Sequence, residues 1–159
     1  MSLRYHDLTV EIRSREDGRF DATAFSDQFQ DRPRVSFRRP IGRRAVAAIH
    51  AEVSRRAGGG ALAEPWAGGR LKPRVFGARL HLALFQGEVA RLLDRCRAAI
   101  SGETGVGLRL RLTFDPRDPQ APYLADLPWE LLCDPEDGQF VAADNRTAVV
   151  RQIDRKSVV

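Results

Sequence analysis

The feature that most constrains the fold is a nine-residue segment in which apolar and polar residues alternate strictly. Every second position is apolar, at Val106, Leu108, Leu110, Leu112 and Phe114. Because successive side chains of a strand point to opposite faces, this pattern predicts a strand with one buried face and one hydrated face. Two Asp-Pro pairs, at 115–116 and 118–119, end the strand, and we expect a loop from there to about Leu124.

A hexapeptide dominated by large apolar side chains follows this loop. It consists of Leu127, Pro128, Trp129, Glu130, Leu131 and Leu132. Proline suits the first position of a helix and Asp126 is placed to cap it, so the segment predicts a short helical turn. Leu127, Leu131 and Leu132 are expected on the inward side with Trp129. Burial of the indole would contribute on the order of 4–6 kcal/mol as an upper estimate, which makes Trp129 the expected packing anchor.

Glu130 is the unusual member of this hexapeptide. A carboxylate beside so much apolar surface is costly unless it is paired. The next apolar run, at 147–150, ends on Arg151. We therefore predict an ion pair between Glu130 and Arg151.

The rest of the chain divides into simple elements. Alternation around 8–12 and 19–23, with a turn at 16–18, predicts a hairpin, and 34–38 predicts a third strand. Residues 41–56 have helical spacing and end at three glycines. Residues 58–73, which include Trp66, are rich in Gly, Ala and Pro and predict a loop in which Trp66 docks on the domain. A single long amphipathic helix is then expected, with apolar positions from Leu82 through Phe85 to Ile100.

Composition indicates one globular domain over 1–159, divided into 1–57, the 58–73 loop and 74–159. The chain is 43% hydrophobic and 30% charged, with a formal net charge of +5. It contains no apolar run of membrane-spanning length and no signal-peptide core, so a cytoplasmic location is expected. Cys96 and Cys133, the two cysteines, are expected to be reduced and buried.

The order of these motifs resembles a known family. Gly-Leu-Arg-Leu-Arg-Leu at 107–112, Leu-Pro-Trp-Glu-Leu-Leu at 127–132, the acidic turn at 134–138 and Thr-Ala-Val-Val-Arg at 147–151 are similar to the N-terminal half of CHAT domains. The segment 76–98 resembles the preceding helix of actinobacterial-type members. The resemblance implies an α/β fold, α+β in detail, with mixed or antiparallel strands covered by at least two helices. It implies the N-terminal portion of a caspase-like cysteine endopeptidase.

The sequence also departs from that family. In CHAT peptidases the catalytic histidine and cysteine lie downstream of the arginine that corresponds to Arg151, and this sequence ends eight residues after it. No catalytic residue is carried over to any position. A dyad of Cys133 with His81 or His50 is disfavoured, because an apolar setting raises the pKa of a thiol. No cofactor is expected, since the histidines lack metal-ligand spacing and the glycines at 102–107 precede a strand.

We therefore expect a non-catalytic scaffold or regulatory part of a CHAT-type peptidase, whose partner is the catalytic half or another protein. The chain alone is not expected to be an enzyme, whereas the intact protein is expected to be a cysteine endopeptidase. The sequence does not indicate the substrate, the activator or the oligomeric state. One alternative is a stand-alone protein-interaction module of a bacterial defence or signalling system. Another is a basic nucleic-acid binder that uses the arginine-rich stretch 32–44, although no nucleic-acid-binding motif accompanies it.

Overall fold

The computed structural model describes residues 2–57 and 72–153, which form a mixed five-stranded sheet with helices, an α/β fold. The strands are β1 (Arg4–Ser14), β2 (Phe20–Ser26), β3 (Arg34–Phe37), β4 (Val106–Phe114) and β5 (Thr147–Ile153). The helices are α1 (Arg43–Ala57), α2 (Pro73–Leu84), α3 (Gly87–Ser101) and the short α4 (Ala121–Asp126). Single 3₁₀ turns lie at Trp129–Leu131 and Val141–Ala143.

The strand order across the sheet is β3-β2-β1-β4-β5. The predicted hairpin is present: β1 and β2 pair antiparallel, as do β2 and β3. The other two pairings are parallel, with Leu8 opposite Leu110 between β1 and β4 and Leu110 opposite Val149 between β4 and β5. Parallel pairing requires long connections, and the α1–α3 segment joins the two halves of the sheet.

Among the described residues, the helices cover one face of the sheet and leave the other face open. The buried apolar side chains of the strands lie on the covered face, including Leu8, Ile12, Phe20, Leu110 and Phe114. They form one core with buried side chains of the helices and of the hexapeptide. The alternate positions make up the open face, which carries mainly polar and charged side chains from 5–13, 21–25 and 107–113. The strict alternation of the sequence is thus the signature of a two-layer fold.

The prediction of a single long helix is wrong, because the structure has two helices in this region. α2 ends at Leu84, and α3 begins at Gly87, whose φ is +54°. Leu82, which continues the apolar period, is 58% exposed on α2. Phe85 lies in the break and is buried, with its N–H donating to the carbonyl of His81. The chain can therefore bend here without losing either the buried ring or that hydrogen bond.

Two further local expectations were wrong. The segment after β4 is not loop as far as Leu124, because α4 begins at Ala121 with Pro122 in its first turn. Asp126 does not cap the next turn: it is the last residue of α4, and Pro128 occupies the cap position of the 3₁₀ turn at Trp129. Most of the expected loop at 58–73, including Trp66, lies outside the described residues. None of the described helices is long and apolar enough to cross a membrane.

Candidate interaction surface

Trp129 is the centre of the hexapeptide. Its side chain is fully buried, and its ring stacks on Phe114 of β4 with the centroids 6.2 Å apart. The indole Nε1–H donates to the carbonyl of Leu124 at 2.8 Å, so its single polar group is satisfied. Leu127 and Leu132 are also fully buried, whereas Leu131 is half-buried. Trp129 therefore fastens the segment between α4 and β5 to the carboxyl end of β4.

The predicted ion pair between Glu130 and Arg151 is present, and Arg151 also donates to the carbonyl of Ala125 at 2.8 Å. Its environment differs from the expectation, because the Glu130 side chain is 59% exposed and that of Arg151 is 36% exposed. The 3₁₀ turn aims Glu130 outward while Trp129 points inward. Exposed ion pairs contribute little to stability, so this contact should add little to the free energy of unfolding.

β5 forms one edge of the sheet. Within the described residues it pairs only with β4, so its outer N–H and C=O groups have no strand partner there. Val150, on the open face, is 38% exposed. Ile153, on the covered face, is 53% exposed, so the described helices do not extend over this end of β5. An edge strand with apolar side chains exposed on both faces is a template for pairing with another chain.

On the open face of the sheet, Asp7 of β1 binds two arginines of the neighbouring strand β4. Arg109 donates to both carboxylate oxygens of Asp7, at 2.6 and 3.0 Å, and Arg111 donates to one of them at 3.3 Å. The hydrogen bonds from Arg109 hold the pKa of Asp7 below its usual range. Arg111 also bonds to Gln152 of β5. The alternating arginines of β4 were visible in the sequence, but their partner on β1 depends on parallel pairing, which no local pattern indicated.

The structure does not bring the candidate cysteine and histidines into a catalytic pair. Both ring nitrogens of buried His81 have no hydrogen-bond partner among the described residues, and burial lowers the pKa of this histidine. His50 hydrogen-bonds instead to the carbonyl of Asp126 at 2.7 Å. Cys133 and Cys96 are both buried free thiols, and burial raises the pKa of each. Neither thiol has the environment of an activated nucleophile.

Two other sequence features have defined places in the structure. The arginines of 32–44 do not share one surface: Arg34 lies on the open face, whereas Arg39 and Arg43 lie against Tyr123 on the helical side. In the part of the chain that the structure describes, no group of three or more His, Cys, Asp or Glu side chains is arranged to hold a metal ion.

No known family model matches the chain, and no curated protein or solved structure matches it.

Proposed function

We propose that this chain is the non-catalytic N-terminal scaffold of a CHAT-type, caspase-like cysteine endopeptidase that acts in the cytoplasm. The catalytic histidine and cysteine would be supplied by sequence downstream of Val159 or by a separate chain. The proposal rests on the motif order of residues 107–151 and on a single structural observation, the open edge of β5.

The geometry of β5 supports this role in two ways. β1, β4 and β5 run parallel, so a further parallel strand beside β5 would extend the same half of the sheet. Such a strand would satisfy the outer backbone groups of β5, and its covering helix would bury Ile153.

The first test is the reading frame after Val159. The proposal expects an open frame, or an adjacent gene, that encodes a His-Gly motif and a cysteine motif at strand ends. Produced together with this chain, that polypeptide should hydrolyse peptides, and replacing its cysteine by alanine should abolish hydrolysis. A frame that closes at once, with no such polypeptide nearby, would refute the proposal in favour of a stand-alone interaction module.

The second test concerns the outer edge of β5, where the catalytic half would pair. Val150→Lys should weaken association of the two halves, because it places a charge where the added strand would pack. Leu82→Lys is the matched control, since Leu82 is an equally apolar and more exposed side chain on α2. Association can be followed by size-exclusion chromatography with light scattering. Equal loss with both variants would contradict pairing at β5.

A further inference from the structure

A cavity of about 370 Å³ lies at the carboxyl end of β1. Three separate segments bound it: the β1–β2 turn, Arg39 just after β3, and the loop that leads into α4. Its polar lining includes Arg15, Arg19, Arg39 and Gln120. The volume is within the range of small-molecule sites, about 300–1,000 Å³.

The cavity lies beyond the carboxyl ends of β1 and β4, which are adjacent and parallel. The β1–β2 turn forms one side of it, and the segment that follows β4 forms another. Here Asp118, from the segment after β4, accepts hydrogen bonds from the backbone N–H and the hydroxyl of Ser14, at 2.7 and 2.5 Å. These bonds hold the two walls of the cavity together.

The cavity is lined by three arginines and one acidic residue, Glu16. Arg15 is neutralised by Asp17 and Asp21. Within the described residues, by contrast, neither Arg19 nor Arg39 forms an ion pair, although Glu16 lines the same cavity. The guanidinium carbon of Arg39 lies 4.7 Å from the centroid of the Tyr123 ring, and stacking of the guanidinium group on the ring leaves its in-plane N–H groups available to an acceptor.

The hydrogen bonding of Arg19 is a second observation. No nitrogen of its guanidinium group has a hydrogen-bond partner in the described part of the chain, and its Nε atom is closed off from solvent. An anion in the cavity would therefore accept from the terminal nitrogens of Arg19, whose N–H groups have no competing acceptor there. Gln120 adds a donor of fixed position, because its side-chain oxygen accepts from Arg43 at 3.1 Å and its NH2 group can then donate into the cavity.

We propose that this cavity binds the phosphate group of a small phosphorylated ligand, with Arg19 and Arg39 as the principal donors and Gln120 as a third. A tetrahedral dianion accepts from several directions at once, which suits donors that converge from three segments. The cavity has room for more than the phosphate itself, and Pro119 is an apolar residue of its lining. This inference is independent of the proposed peptidase scaffold.

The test is isothermal titration of the full chain with inorganic phosphate and with a nucleoside diphosphate at constant ionic strength. Saturable binding at one site is expected. Arg19→Gln and Arg39→Gln should each weaken it about tenfold or more, since each removes a charge-assisted hydrogen bond. Neither substitution breaks a side-chain hydrogen bond within the described residues, so both variants should fold, which circular dichroism can verify. Arg39→Lys should also weaken binding, because it keeps the charge but loses the fork.

Arg4→Gln is the matched control, with the same change of charge at the opposite end of β1. It should leave affinity within about twofold, since exposed charges that far apart are screened. Similar affinities for both probes would mean that the phosphate alone is recognised, and tighter binding of the diphosphate would mean that the rest of the ligand contributes. No saturation by about 10 mM with either probe, or an equal loss of affinity with Arg4→Gln, would overturn the proposal.

Discussion

The indole of Trp129 stacks on the ring of Phe114, and this contact joins the last residue of β4 to the 3₁₀ turn at Trp129–Leu131. Phe114 also lies opposite Ile153 in the β4–β5 ladder. One aromatic pair therefore links the core to the edge strand on which the proposed function depends.

Replacing Trp129 by alanine should destabilise the fold by about 3–5 kcal/mol, because it removes a fully buried ring from a packed core. Trp129→Phe keeps a ring for Phe114 but loses the hydrogen bond to the Leu124 carbonyl, so a smaller cost of about 1–3 kcal/mol is expected. Urea unfolding followed by far-ultraviolet circular dichroism measures both. A cost below about 0.5 kcal/mol for the alanine variant would mean that the ring is not an anchor.

The pair of Glu130 and Arg151 should show a coupling energy of only about 0.2–1 kcal/mol in a double-mutant cycle, because both side chains are more than one third exposed. The coupling should shrink at high salt. Arg151→Ala should cost more than Glu130→Ala, since it also removes the hydrogen bond to the carbonyl of Ala125. Strict additivity of the two substitutions would show that the pair does not form in solution.

The elements that could be predicted from the sequence are those specified by their own residues and not by contacts with distant segments. The alternation of 106–114 and the turn at Gly18, whose φ is +82°, specify β4 and the first hairpin without reference to distant residues. The size of Trp129 likewise predicts its burial. The parallel register of β1 with β4 could not be predicted, because it is set by packing between segments almost one hundred residues apart.

The same distinction applies to the candidate sites. Glu130 and Arg151 could be paired from the sequence because both belong to short motifs of one region. The cavity at the end of β1 was not predicted, since Arg19, Arg39 and Gln120 come from three segments and none belongs to a motif. The break after Leu84 had one local signal, Gly87 at the start of α3, which the continuing apolar period concealed.

Gly77 should not tolerate alanine. A Cβ atom added to it would lie 1.8 Å from the carbonyl oxygen of Leu131, because α2 packs directly against the 3₁₀ turn there. Alanine is favoured over glycine within a helix by about 1 kcal/mol, but overpacking costs about 1–3 kcal/mol or more, so net destabilisation is expected. The neighbouring hydrogen bond from Cys133 N–H to the Gly77 carbonyl, 3.2 Å long, would be disturbed as well.

Gly102→Ala is the control for this prediction. Gly102 has an ordinary right-handed backbone conformation, with a φ of −87°, and a Cβ atom added there would meet no atom of the described residues within 4 Å. Alanine at this position should be neutral or stabilising by up to about 1 kcal/mol. Thermal unfolding of both variants compares them directly. A Gly77→Ala protein as stable as Gly102→Ala would contradict the close packing of α2 on the hexapeptide.

Asp7 should make the stability of the protein depend on pH in the acid range. The hydrogen bonds from Arg109 lower the pKa of Asp7 in the folded state relative to the unfolded chain, where it is about 3.9. A group with a lowered folded pKa stabilises the fold fully above its unfolded pKa, and this stabilisation is lost as the pH falls through the folded value. The contribution of Asp7 should therefore be constant above about pH 5 and should decline progressively below about pH 4.

The measurement is the free energy of unfolding of wild type, Asp7→Asn and Arg109→Gln between about pH 2 and pH 7. The difference between wild type and Asp7→Asn should be largest at neutral pH and should narrow as the carboxylate of wild type becomes protonated. The difference between wild type and Arg109→Gln should also narrow at low pH, because this substitution removes the partner that lowers the pKa of Asp7. A difference that stays constant down to about pH 2, or grows on acidification, would mean that the ion pair on the open face does not form.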